Sequence, residues 1–147
     1  MISITNITAA VQLYWQASSP VSTPTQFPGV PLDVNGLPAW MEFWLTQGTE
    51  PIHRARSGGE LNVFIDIHCF SRQSDKRAVF QLADQARNTF TQKLIAIQSV
   101  PSPATLVGHL RFFESVTRDL TRESQPDPRT PLQHVVVSFT GHAESMI

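Results

Sequence analysis

Apolar side chains recur at helical spacing in two segments of the chain. Residues 3–17 and residues 75–92 each place their apolar side chains on one side of a helix. The two stripes consist of Ile4, Ile7, Val11, Tyr14 and Trp15, and of Val79, Leu82, Ala83, Ala86 and Phe90. Polar residues that can cap a helix stand at or near the start of each stripe: Ser3 or Thr5, and Ser74 or Asp75. The pattern predicts two amphipathic helices.

Apolar and other side chains alternate in the segments that we predict to be strands. Residues 60–71 show this best, because every second side chain from Leu61 to Cys69 is apolar. Residues 37–46 alternate in the same way and place Trp40, Glu42 and Trp44 on the less apolar face. Further strands are predicted over residues 107–120 and 132–140, and residues 94–99 are either a short strand or a helix end.

The order of these elements predicts an α+β fold, since strands joined by hairpin-like connections with helices on one side are typical of that class. We expect a single domain over residues 1–147. It should contain a mostly antiparallel sheet of about four to five strands, with two helices packed on one face. Pro-rich loops are predicted at 18–36 and 121–131, because proline breaks helices and removes backbone donors.

The second face of the predicted sheet carries large aromatic side chains: Trp40, Trp44, Phe64 and Phe70. If the helices pack on this face, these residues belong to the core and the two faces are assigned the wrong way round. Otherwise they form an apolar strip that another subunit covers. The sequence leaves both alternatives open.

Composition narrows the function classes. The formal net charge of −1 gives no basic excess for binding nucleic acid, and no apolar run approaches the ~20 residues of a membrane span. The N-terminus lacks the features of a secretory signal, so we expect none. The single cysteine, Cys69, cannot form an internal disulfide, which fits synthesis in a reducing cytoplasm.

Catalytic motifs are absent from the sequence: it contains no Gly-rich phosphate loop, HExxH, GxSxG or CxxC. Histidines on neighbouring strands could form a metal site, but His68, His109 and His134 have no ligand spacing and are interpreted as half-buried strand residues. Cys69 continues an apolar face and points away from His68, so it is interpreted as a core residue. We therefore expect no catalytic residue, no metal and no cofactor.

Charged residues at two places have more than one interpretation. Asp66 interrupts an aromatic strand face and is either a catalytic carboxylate or a salt-bridge partner within the sheet or between subunits. Arg54 and Arg56 lie in the turn at 46–60. They could face DNA in a ring, contact a neighbouring subunit or remain solvated.

The segment LPAWMEFWLTQGTEPIHRARSGGELNVFIDIHCFSR, residues 37–72, resembles the central hairpin of tail terminator proteins from long-tailed phages. That family has an N-terminal helix, a Pro-containing loop, a strand, a long charged turn, a second strand and a helix. A short segment, a strand, a long loop and a closing strand follow. The predicted elements of this chain have the same order, which the related tail-completion and neck proteins share.

The resemblance implies a structural virion protein, not an enzyme, made in the host cytoplasm and located in the tail or neck. Such subunits form a ring, commonly a hexamer, at the head-proximal end of the tail tube. The implied partners are other copies of the chain, the tail-tube protein and a neck or head-completion protein, with DNA passing through the lumen without sequence-specific binding and with no role for a membrane. Candidate contact residues are Glu50, His53, Arg54, Arg56, Asp66, Trp40 and Trp44.

Two other function classes remain open at this point. One is a different phage neck or tail adaptor or assembly module, which a capacity to form closed rings would distinguish from a terminator. The other is a small metal-dependent hydrolase built around Asp66, His68 and His134.

Overall fold

The computed structural model describes residues 2–18, 23–50, 59–99, 105–121 and 132–146. In chain order its elements are α1 (Ile4–Ser18), β1 (Thr25–Gln26), β2 (Ala39–Thr49), β3 (Glu60–Ser71), α2 (Lys76–Phe90), β4 (Leu94–Gln98), β5 (Leu106–Asp119) and β6 (Gln133–Ser145). The strands form one sheet in the order β1-β2-β3-β6-β5-β4. Neighbouring strands are antiparallel except β1 and β2, which are parallel.

The predicted α+β class with two helices is confirmed, but the expected number of four to five strands is wrong, since the described chain has six. The additional strand is β1, in which Thr25 and Gln26 pair with Met41 and Glu42. Two residues inside a Pro-rich segment are too short to show a periodicity. Residues 94–98, for which the sequence left a strand and a helix end open, are a strand.

Both helix starts follow the capping chemistry that the sequence indicates. The Ser3 hydroxyl accepts a hydrogen bond from the Asn6 amide at 3.1 Å. The Asp75 carboxylate accepts one from the Arg77 amide at 2.8 Å. These bonds satisfy backbone donors that the first helical turn leaves without a partner. Neither described helix is long and apolar enough to cross a membrane.

The core lies between the two helices and one face of a curled sheet. Every residue of the predicted α2 stripe is buried, as are Val63, Ile65, Ile67 and Cys69 on β3. Because the sheet curls, α1 packs against β4 near one end of the strand order. At the other end, Ile4 of α1 lies directly over Gly48 of β2.

Within the described residues, β5 has a neighbouring strand on its outer side over only half of its length. The β4 strand pairs only with residues 106–111 of β5. The remaining half of β5 pairs with β6 on one side and, within the described ranges, with no strand on the other. A bulge between Phe112 and Glu114 marks the change, and residues 113–119 are exposed.

Candidate functional site on the open face of the sheet

The sheet face opposite the helices is the candidate site, and we call it the open face. The assignment of faces from the sequence is correct, because Met41, Phe43, Ile65 and Ile67 lie in the core. The alternating residues therefore point away from the helices. On the four central strands the open face comprises Trp40, Glu42, Trp44, Phe64, Asp66, His68, Phe70, His134, Val136, Ser138, Val116 and Arg118.

A stack of flat side chains crosses three neighbouring strands at one end of this face. Phe70 lies between Trp40, at a centroid distance of 4.9 Å, and His134, at 4.3 Å, with nearly parallel rings. The Arg72 guanidinium lies 5.0 Å from the centroid of the Trp40 ring, a cation–π contact. Trp40 and His134 are thus buried although neither helix covers this face. The stack fixes the shape of the surface.

Glu42 links the two tryptophans of β2. Its carboxylate accepts hydrogen bonds from the indole nitrogens of Trp40 and Trp44, each at 3.2 Å. The indole of Trp44 is held in this orientation although 52 % of the residue surface is exposed. A large, oriented and half-exposed aromatic ring is the kind of side chain that anchors protein interfaces.

Two histidines meet beside the stack. His68 Nδ1 lies 2.8 Å from His134 Nε2, so one of these nitrogens carries a hydrogen and donates a hydrogen bond, and the other accepts it. Burial and, to a smaller extent, the neighbouring His68 together lower the pKa of His134 to about 4. Burial also lowers the pKa of His68, opposed by the charges of Asp66 and Glu42. At neutral pH both rings are therefore uncharged.

Asp66 lies in the row next to the histidines, between Trp44 of β2 and Ser138 of β6. The two salt bridges in the described part of the chain, Lys76–Asp119 and Arg87–Asp84, do not include it. Val116, which is 49 % exposed, continues the same row on β5. This row therefore presents apolar groups at its two ends and a carboxylate between them.

A second concave region lies toward the other end of the open face. It is lined by Asn62, Leu94, His109, Arg111, Phe113, His142 and Glu144. His142 Nδ1 lies 2.8 Å from the side-chain amide oxygen, Oδ1, of Asn62. Phe113, at the bulge of β5, is 63 % exposed. This region thus combines an exposed aromatic ring with charges of both signs.

The other candidate residues are placed as follows. Glu50 is exposed and directly follows β2, whereas His53, Arg54 and Arg56 lie outside the described residues. Cys69 is fully buried in the core, and burial raises the pKa of its thiol to about 12, so a thiolate nucleophile is not supplied there.

The sequence placed His68 and His134 together only in the metal-site and hydrolase hypotheses and did not predict their direct contact. The signal that could have found it is the pairing of Phe70 with His134, which follows only when β3 and β6 are known to be neighbours. Within the described ranges, no three histidine, cysteine or acidic side chains converge as metal ligands. The hydrolase built around Asp66, His68 and His134 therefore has no described metal site.

Comparison with known proteins finds similarity in structure but none in sequence. No protein-family model and no curated protein sequence matches the chain. The chain is similar to the sheath/tube terminator of an extracellular contractile injection system (PVC), seen by cryo-EM in the extended state, with 13 % identity and a TM-score of 0.45. The match covers all of this chain and 58 % of that one.

Proposed function

We propose that this chain is a structural virion protein that forms a homo-oligomeric ring, a hexamer by our expectation, at the head-proximal end of a phage tail. The ring ends polymerisation of the tail tube and joins the tail to the head through a neck or head-completion protein. DNA passes through its lumen without sequence-specific binding. The observation that carries the proposal is the open face, an ordered surface of aromatic and charged side chains on which neither helix packs.

The composition of the open face supports a protein partner. Exposed tryptophan, phenylalanine and valine side chains alternate with charged groups, and interface cores are enriched in aromatic residues and rimmed by polar ones. A ring requires two different complementary patches on each subunit. The Trp44–Asp66–Val116 row and the region around Phe113 are two such patches with different charges.

The order of the elements supports the same proposal. The resemblance to tail terminators implies a helix, a loop, a hairpin of two long strands, a helix, a short segment, a strand and a closing strand. The described elements α1, β2, β3, α2, β4, β5 and β6 follow that order. Trp40 is buried in its stack and is not retained as a contact residue. The proposed contact residues are Trp44, Asp66, Glu50, His53, Arg54 and Arg56.

Native mass spectrometry over a wide concentration range tests ring formation. We expect a closed oligomer for the natural sequence and a weakened one for Trp44→Ala. Loss of an aromatic anchor worth about 2 kcal/mol raises the concentration needed for assembly roughly 30-fold. Phe80→Ala is the matched control, because Phe80 is 42 % exposed on α2, on the other side of the molecule. It should leave assembly unchanged.

A second assay covers assembly that needs a template. Added to polymerising tail-tube protein, the chain should shorten the tubes and remain bound at one end. A chain that forms no closed oligomer and also leaves tube length unchanged would refute the proposal. Equal effects of Trp44→Ala and Phe80→Ala would instead remove the open face as the contact surface.

A further inference from the structure

The contact between His68 and His134 has a consequence for the open face that the ring proposal does not require. The two rings face each other through His68 Nδ1 and His134 Nε2 at 2.8 Å. A contact this short needs one proton between the two nitrogens, since two lone pairs or two N–H groups would repel each other. The contact is therefore sensitive to the number of protons on the pair.

Addition of a first proton leaves the contact intact. The neutral pair already has one N–H between the rings, and the added proton binds to the distant nitrogen of the donating ring. The result is a charge-assisted hydrogen bond, which is stronger than the neutral one. Burial lowers the pKa of His68, but the charges of Asp66 and Glu42 oppose that effect and outweigh the charge of Arg118, so His68 is the better site for the first proton.

Addition of a second proton breaks the contact. Both facing nitrogens would then carry hydrogens, and two imidazolium ions would lie in direct contact. The groups that face His134 are His68, which disfavours its charge, and Glu42 and Asp119, which favour it. Burial is the largest influence and disfavours the charge. Asp119 is itself bound to Lys76 at 2.6 Å, which partly neutralises it.

We propose that the His68–His134 pair is a two-step proton sensor in the open face, in which the first proton tightens the contact between β3 and β6 and the second separates the rings. Separation also disturbs the aromatic stack, because the ring centroids of His134 and Phe70 are 4.3 Å apart. It reaches Trp44 as well, whose ring centroid lies 5.8 Å from that of His68. The open face would thus change shape in acid while the helix-covered core stays packed.

Imidazole nitrogen NMR, which reports the protonation of each ring nitrogen, tests this on the full chain between pH 8 and pH 3.5. We expect His68 to charge first and His134 to charge in a separate step at lower pH. In His68→Gln, which keeps a donor but cannot titrate, the midpoint of His134 should rise by about one pH unit or more. The nitrogen shifts of His142, which is hydrogen-bonded to Asn62 Oδ1, are the control and should be the same in both proteins.

Two results would overturn the proposal. In the first, His68 and His134 titrate with the same midpoint in the natural sequence, and the midpoint of His134 does not change in His68→Gln. The other is a Nδ1–Nε2 contact that is absent at neutral pH, shown by nitrogen shifts typical of two independent rings. If His68→Gln fails to fold, the natural sequence still decides the question. The hydrogen bond between His68 Nδ1 and His134 Nε2 should persist after the first proton and be lost with the second, and its loss at the first step would contradict the proposal.

Discussion

Phe90 is the side chain whose removal should destabilise this fold most clearly. It is the last residue of α2, is 1 % exposed and lies at the centre of the core. Its ring contacts five other rings, at centroid distances of 5.3 to 6.1 Å: Tyr14, Trp15, Phe43, Phe112 and Phe139. These rings belong to α1, β2, β5 and β6, so Phe90 joins most of the fold at one point.

The magnitude follows from burial and from these contacts. Truncation of a buried phenylalanine to alanine typically lowers the free energy of unfolding by about 3–5 kcal/mol. Aromatic pairs of this geometry contribute about 0.5–1.5 kcal/mol each beyond the buried area. Because Phe90 takes part in several pairs, we expect Phe90→Ala to lower the free energy of unfolding by at least about 4 kcal/mol.

Urea denaturation at a fixed protein concentration measures this loss. With a slope near 2 kcal/mol per molar urea, the unfolding midpoint should fall by at least about 2 M with the slope unchanged. Phe80→Ala on the same helix is the control and should shift the midpoint by less than about 0.5 M, because Phe80 is 42 % exposed. Equal losses for the two variants would show that the aromatic cluster around Phe90 does not hold the sheet and helices together.

Three further predictions concern single residues. Asp119→Asn should lower the free energy of unfolding by less than about 1 kcal/mol, because its salt bridge with Lys76 is exposed. The pKa of Asp119 is lowered from 3.8 to about 2 by its hydrogen bonds with Lys76 and Thr121. Its contribution to the free energy of unfolding is therefore present above pH 3.8 and lost as the pH falls toward 2, so the difference in stability between the natural sequence and Asp119→Asn should disappear in acid. Cys69 should not react with iodoacetamide at pH 8 until urea unfolds the chain, and rapid labelling of the folded protein, read by mass, would contradict its burial. Gly108→Ala should lower the free energy of unfolding by about 1–3 kcal/mol, because a Cβ there would lie 2.3 Å from the backbone oxygen of Glu144. An unchanged midpoint in thermal or urea unfolding would show that β5 and β6 move apart at this point without cost.

The elements with long, regular patterns could be predicted from the sequence. Twelve alternating residues define β3, whose observed bounds are those predicted. The α2 stripe repeats over about three turns and is buried throughout. By contrast, β6 continues five residues past the predicted end at Thr140. There Gly141 and Ala143 face the core, and such small side chains give little apolar signal.

The candidate site could be predicted only in part, for a different physical reason. Which residues share a face follows from their parity along one strand, so Trp40, Trp44 and Asp66 were placed correctly on one surface. Which residues touch depends on the neighbouring strand and on the register, and these are set by the whole sheet. His68 meets His134 because β6, which comes last in the chain, pairs with β3.

The half of β5 that follows the bulge, residues 113–119, has a free edge within the described residues, and this edge affects the tendency of the protein to aggregate. A free strand edge offers unpaired amides and carbonyls to any other extended chain, and such edges are common starting points for aggregation. On this edge Glu114, Arg118 and Asp119 are charged and exposed. Charged side chains on an edge are one of the ways in which natural sheets prevent uncontrolled extension. The unpaired half of β5 is therefore protected against pairing with extended strands of other molecules.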